Sequence, residues 1–280
     1  MSLPFRETSG YLPAPGGDLY GTLYMPERLA TDTAAVLVEP FGEEKKCAYR
    51  LVVRLARALA ETGIPVLRFD LGGTGDSPGE HGTADFLGWC ADVQTAAIFV
   101  RGLPGIAGWC PIGVRFGALP ALQAAVDSPP RAIVLIEPVL SGNECLRDLE
   151  RRQKIKDMMS GQRDETGQDA ATRWQAGEAV DFGGFAVSAR LAEQMAGVEA
   201  TGLLPRLAAA CALQVIRVSG SAKLPPAWQP LTDAAAGRQP GEVKVVADKP
   251  FWGQLEYYES DAVIEAVLPF LREALQVTTP

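Results

Sequence analysis

Short apolar runs rich in Val, Ile and Leu alternate along this chain with longer stretches of helical period. This order constrains the fold more than any other feature, because it is the mark of βαβ units wound around a parallel sheet. "LYGTLYMP" (residues 19–26) alternates apolar with polar positions and predicts an antiparallel strand near the N-terminus. "AAVLVEPF" (34–41), "PVLRFDL" (65–71), "IAGWCPIG" (106–113) and "AIVLIEPVL" (132–140) read as central strands, followed by "LQVIRVSG" (213–220) and "EVKVVAD" (242–248). They are short and rich in Val, Ile and Leu, as strands covered on both faces should be.

Between them, "CAYRLVVRLARALAETG" sets Ala48, Leu51, Val52, Leu55 and Leu59 on one helical face and stops at Gly63. Further helices are expected over 84–102 with Asp85 near the start, over 118–130, and over 260–275 with Ser260 or Asp261 as N-cap. From about 143 to 205 the alternation breaks into a helical, more polar stretch containing the turn "DFGGF". It is expected to be a cap inserted after the fifth core strand, leaving residues 1–142 and 206–280 as the core. Such a cap would cover the carboxyl ends of the strands, where open α/β sheets bind ligands.

Composition narrows the function. A net charge of −8, with no basic stripe, disfavours nucleic acid and anionic membranes as partners. The one basic cluster, "RRQKIKD" (151–157), has acidic neighbours and reads as a solvated helix face. No apolar run approaches the ~20 residues of a membrane span, and the first residues lack the pattern of a secretory leader. Five cysteines without CxxC spacing point to reduced thiols and a cytoplasmic setting, with no disulfide frame and no zinc site. The chain holds a single histidine, His81, so chemistry needing two histidines is excluded.

The motif that carries most chemistry is "GVRFG" (113–117), a strand followed directly by a helix. In an α/β-hydrolase fold this is the place of G-x-S-x-G, the turn that presents a nucleophilic serine. Arg115 occupies the middle position, and a guanidinium neither ionises nor attacks. "FDLGGTGDSPG" (69–79) resembles the glycine-rich turn after an earlier strand of that fold, where Asp70 and Ser77 bond to backbone. "EPFGEEKK" (39–46) falls where an oxyanion-hole loop belongs. The run "DLGGTGDS" lacks G-x-G-x-x-G and a P-loop lysine, so no nucleotide and no other cofactor is expected.

These stretches, with "YRLVVRLARALAETGIPVLRFDLGGTGDSPGEHGTADFLGWCADV", "GVRFGALPAL", "IEPVLSG", "AGEAVDFGGFAVS" and "PFWGQLE", resemble the family called exosortase A system-associated hydrolase, type 2. The likeness runs from about residue 40 to 256, and arginine on the elbow is typical of that family. Lys45 and Lys46 depart from the expected loop. The resemblance implies a bacterial cytoplasmic protein linked to exopolysaccharide production and PEP-CTERM-like protein sorting. The "hydrolase" of the family name rests on the fold.

A Ser-His-Asp mechanism also needs a histidine after the last strand and an acid after an earlier one. The corresponding loops read "DKPFWGQ" (248–254) and "GSAKLPP" (220–226), without histidine and without carboxylate respectively. Arg115 at a helix N-terminus opposes the macrodipole by ~0.3–1 kcal/mol, and burial would require an anionic partner. Glu39, Glu43, Glu44 and Glu137 are the internal candidates. Two readings stay open: a structural Arg–Glu plug, or a fork holding the carboxylate, phosphate or oxyanion of a small acidic or acyl ligand. For the second, Phe41, Gly42, Phe116 and Trp252 are expected beside Arg115, with Glu43, Glu137 and His81 assisting chemistry. A lone loop histidine such as His81 is more often merely solvated. The alternatives are a catalytically silent binding or scaffold protein with a protein partner, and an esterase whose groups have moved. Oligomeric state is not legible in the sequence.

Overall fold

The computed structural model of the chain describes residues 3–79, 82–160, 168–250 and 257–278. The elements run β1 (Phe5–Leu12), β2 (Leu19–Pro26), β3 (Thr33–Val38), α1 (Glu43–Glu61), β4 (Val66–Phe69), α2 (Phe86–Arg101), β5 (Gly108–Val114), α3 (Ala118–Asp127) and β6 (Ala132–Ile136). Then come α4 (Gly142–Ser160), α5 (Ala170–Gln175), β7 (Val180–Asp181), β8 (Ala186–Val187), α6 (Ala189–Ala196) and α7 (Ala200–Leu203). The chain closes with β9 (Ala212–Val218), α8 (Gln229–Ala236), β10 (Gly241–Val246) and α9 (Asp261–Ala274).

Among the described residues, eight strands form one sheet in the order β1-β2-β4-β3-β5-β6-β9-β10. From β4 to β10 all neighbours are parallel, and β1-β2 is an antiparallel ribbon added at one edge. Alternate residues along each strand serve opposite faces. Val36, Val38, Ile133 and Leu135 pack with α2 and α3, whereas Ala35, Leu37, Val134 and Ile136 pack with α1 and α9. Every residue of β3, β5 and β6 is buried, which is why these strands read as unbroken apolar runs.

Helix starts follow capping chemistry. Asp85 accepts from the Gly88 N–H at 2.7 Å to open α2, and Ser260 accepts from the Val263 N–H at 3.2 Å to open α9. The turn after β4 matches its expected bonding: the Ser77 hydroxyl donates to the Asp70 carbonyl at 2.6 Å, and the Asp76 N–H donates to Asp70 Oδ2 at 2.9 Å.

Four features differ from the sequence reading. Strand β10, expected to be covered on both faces, is an edge strand with Glu242 and Lys244 exposed. Strand β1 carries no apolar alternation because it is an edge strand exposed along most of its length. A short helix, α8, lies between β9 and β10. Helix α1 begins at Glu43, four residues before its apolar stripe, so "EEKK" is its first turn rather than a loop. Acids there favour the helix dipole, which explains how a polar tetrapeptide starts the helix.

Between β6 and β9 the chain makes the excursion through α4 to α7, and "DFGGF" is the turn joining β7 to β8. The Ala200 N–H donates to the Leu140 carbonyl at 2.8 Å and the Gly142 N–H to the Val198 carbonyl at 3.0 Å, pinning the two ends of this segment together.

Candidate ligand site at the strand-to-helix elbow

Strand β5 passes into α3 through one tight turn over residues 115–117. Both glycines of "GVRFG" are demanded by close approach. A Cβ on Gly113 would lie 2.6 Å from Ala118 Cα, and one on Gly117 would lie 2.4 Å from the Val38 carbonyl oxygen. Between them Arg115 holds φ 52°, a left-handed conformation costing a non-glycine residue roughly 1–3 kcal/mol. Glu137, which follows β6, is held at φ 43°. The two strained residues are tied together: Arg115 Nη1 donates to the Glu137 carbonyl at 3.2 Å, and the Val139 N–H donates to the Arg115 carbonyl at 3.2 Å.

The Arg115 side chain is buried and its fork closes on Glu44 of α1. Nε donates to Oε2 at 3.0 Å and Nη2 to Oε1 at 3.2 Å. A second guanidinium meets the same carboxylate, with Arg152 Nη2 of α4 donating to Glu44 Oε1 at 2.6 Å. One turn along α4, Lys156 pairs with Glu43. Of the four acids considered as partners, Glu44 supplies the carboxylate that fills the fork, and Glu137 accepts at its main-chain carbonyl. Glu39 instead pairs with Arg68 at 3.1 Å and Lys45 at 3.2 Å, and Lys45 also pairs with Asp70.

The side chain of Glu137 turns toward β9, where Oε2 accepts from the Val218 N–H at 2.6 Å. Burial pushes its carboxyl up to about 7, against the lowering effects of that N–H, of Arg115 and of Arg217. Cys145 of α4 lines the same space as Arg115, and burial holds its thiol well above the usual range. A thiol so raised stays protonated and is a poor nucleophile at neutral pH.

Two small cavities flank Phe41. The first, of about 50 Å³, is lined by Phe41, Gly42, Phe69, Leu71, Trp89 and Phe185, with Lys45 and Glu39 at its margin. The second, of about 30 Å³, holds Arg115, Glu44 and Arg152 with Val139, Leu149 and Phe182. A water needs at least about 10–15 Å³ of such space, so each admits a few waters and no organic molecule without movement. Phe41 packs on Trp89 (centroids 5.2 Å apart) and Phe185 (6.2 Å), while Phe116 supports it from beneath at 6.1 Å.

Of the residues singled out in the sequence, Arg115, Phe41 and Gly42 meet at this site, with Phe116 behind them and Glu43 on the wall of the second cavity. His81 and Trp252 lie outside the described residues, although Gly82 lines the first cavity. The basic cluster is a solvated face only in part: Arg151 and Lys154 are exposed, whereas Arg152 and Lys156 turn inward. The i, i+4 spacing of Arg152 and Lys156 puts them on one face of α4, but nothing local in the sequence shows that this face meets Glu44 and Glu43 of α1. Among the described residues no group of His, Cys, Asp and Glu could hold a metal ion, and no helix is long and apolar enough to cross a membrane.

No known family's sequence profile matches this chain, and no curated protein matches it by sequence. Solved structures do match. Est1E of Butyrivibrio proteoclasticus, with ferulic acid bound, aligns over 95% of this chain and 99% of its own at TM-score 0.67 and 14% identity. A carboxyl esterase of Bacillus coagulans, in complex with glycerol, aligns over 98% and 100% at TM-score 0.61 and 13% identity. XC6422 of Xanthomonas campestris, described as an α/β serine hydrolase without lid, aligns over 100% of both chains at TM-score 0.55 and 20% identity. The chain therefore has the α/β-hydrolase fold, with an arginine on the elbow turn.

Proposed function

We propose that this protein binds an acidic or acyl small molecule between core and cap, with Arg115 as the anion-holding residue, and that it does so without a Ser-His-Asp triad. The observation that carries this reading is the convergence of two guanidinium groups, Arg115 and Arg152, on one buried carboxylate at the carboxyl end of the sheet. Those ends are where open α/β folds take their ligands. In this reading residues 143–205 are the cap, and the aromatic cavity beside Phe41 receives the apolar part of the ligand. The wider role is the one implied by the sequence resemblance, in exopolysaccharide production and PEP-CTERM-like sorting.

Thermal unfolding against carboxylates, acyl phosphates and sugar phosphates tests it. Ferulate belongs in the panel because the Butyrivibrio protein binds it. A ligand at a hundredfold its Kd adds ~2.7 kcal/mol, a shift of several degrees in a chain of this length. The expected result is stabilisation of the wild type by one class of anion and none of Arg115→Met.

A second reading, a catalytically silent scaffold with a protein partner, is favoured by the completeness of the Glu44 clamp and the small cavities. On that reading no small anion shifts the wild type, and Arg115→Met is less stable yet keeps its partner.

A further inference from the structure

The Glu44 carboxylate stands where a ligand's own carboxylate would be held. Its two oxygens fill the fork of Arg115 at 3.0 and 3.2 Å, and Arg152 takes Oε1 from the far side at 2.6 Å. A flat two-oxygen group in a guanidinium fork is carboxylate geometry. A phosphoryl group would bring further anionic oxygens into a space of about 30 Å³ whose remaining donors, Lys156 and Gln153, are already engaged with Glu43 and Asp157.

The same turn of α1 ties down the segment that closes over the site. Glu43 pairs with Lys156, Glu44 with Arg152, and the Lys46 ammonium lies 5.2 Å from the Phe185 ring centroid. Phe185 in turn covers the aromatic cavity against Phe41. An apolar body entering that cavity would lie against Phe185. An anionic head can take the Nε and Nη2 fork of Arg115 only if Glu44 leaves it. Both bear on the one turn.

Resting on the reading of Arg115 as an anion-holding residue, we infer that the ligand class is monocarboxylates with an apolar body, and that Glu44 is a built-in competitor whose displacement loosens the cap. Glu44 blocks the site in the closed state, and an incoming carboxylate takes over its bonds to Arg115. The Arg152–Glu44 tie to α4 is broken in that exchange.

The test is titration calorimetry of the full chain with 3-phenylpropanoate and octanoate, with methyl 3-phenylpropanoate as the uncharged control and acetate as the control without a body. Glu44→Gln keeps the shape and removes the competing charge. If the wild-type site is open less than a tenth of the time, Glu44→Gln binds 3-phenylpropanoate about tenfold tighter or more, and neither control binds. Equal or weaker binding by Glu44→Gln, beside a wild type that binds, overturns the competitor while leaving the Arg115 reading intact. No binding by either protein, or binding that survives Arg115→Met, overturns that reading and this inference together. Should Glu44→Gln fail to fold, amide hydrogen exchange on the wild type decides. Saturating 3-phenylpropanoate is expected to speed exchange over residues 43–46 and 149–156. Unchanged or slower exchange there refutes displacement.

Discussion

Replacing Arg115 with methionine keeps most of the side-chain volume and removes the charge, so it isolates what the elbow cation contributes to stability. Arg115 and Glu44 are each about nine-tenths buried, and they share two hydrogen bonds. Removing one member of a buried pair costs ~3–5 kcal/mol, mostly because the other charge is stranded. Glu44 is not wholly stranded, since Arg152 remains 2.6 Å away and is partly solvated. This brings the expected loss to about 2–3 kcal/mol. For a chain of this size that is a fall of roughly 3–5 °C in Tm. Glu44→Gln should cost more, about 3–4 kcal/mol, because it leaves two guanidinium groups facing each other. The double variant removes both members, so its loss should fall below the sum of the single losses by ~2 kcal/mol. Urea unfolding of the four proteins at pH 8 measures the cycle. An Arg115→Met protein within ~0.5 kcal/mol of wild type, or single losses that add within ~0.5 kcal/mol, would refute the reasoning.

Other expectations follow from neighbouring residues. Glu137 holds its proton more tightly when folded than when unfolded, its carboxyl being raised from 4.5 to about 7. The native state therefore binds the extra proton between these values, and Glu137's contribution to stability falls as pH rises through that window, by at most ~3 kcal/mol. Glu137→Gln, whose amide oxygen still accepts from Val218, should gain on wild type between pH 5 and pH 8; an equal difference at both pH values is the contrary result. Gly117→Ala forces a Cβ to 2.4 Å from the Val38 carbonyl oxygen and should cost roughly 3 kcal/mol or more. Gly184→Ala, with nothing within 4 Å, should cost only ~1 kcal/mol for its positive φ; circular dichroism melts compare the two. Neither wild type nor Arg115→Ser should release nitrophenol from short acyl esters, because serine alone lacks a base. Release by wild type that is lost in His81→Ala would establish the relocated esterase instead.

How much of this was legible in the sequence depended on burial. Strands β3, β5 and β6 are covered on both faces, so their apolar runs stand out. Strand β1, "FRETSGYL", is exposed along most of its length and has no face to encode. The elbow was legible because two glycines at fixed spacing are required by steric contact with β3 and α3. What held Arg115 was not. Four acids were candidates, and the choice of Glu44 depends on α1 starting four residues earlier than its apolar stripe indicates. Arg152 lies 108 residues from Glu44, and no local period links residues so far apart. Buried ion pairs such as Arg68–Glu39 and Lys45–Asp70 share this property: each member is an ordinary polar residue until the sheet brings it to its partner.

The elbow itself argues against arginine as the mere residue of a lost serine. A non-glycine residue at φ 52° carries roughly 1–3 kcal/mol of strain, and a cation at a helix N-terminus adds ~0.3–1 kcal/mol. A glycine would relieve both. Arginine is compatible with the turn because Glu44 sits at the N-terminal end of α1, where the dipole favours an anion, and because Arg152 closes on it from α4. The charges are thus distributed over three elements that meet only at the carboxyl ends of β3 and β5. Replacing a buried ionic group with well-packed apolar side chains is often neutral or stabilising, so stability alone is a weak reason to keep this one. An Arg115→Met/Glu44→Leu/Arg152→Leu protein that is at least as stable as wild type but has lost anion binding would place the value of these charges in recognition. One that is several kcal/mol less stable, with no anion bound by wild type, would place it in the fold.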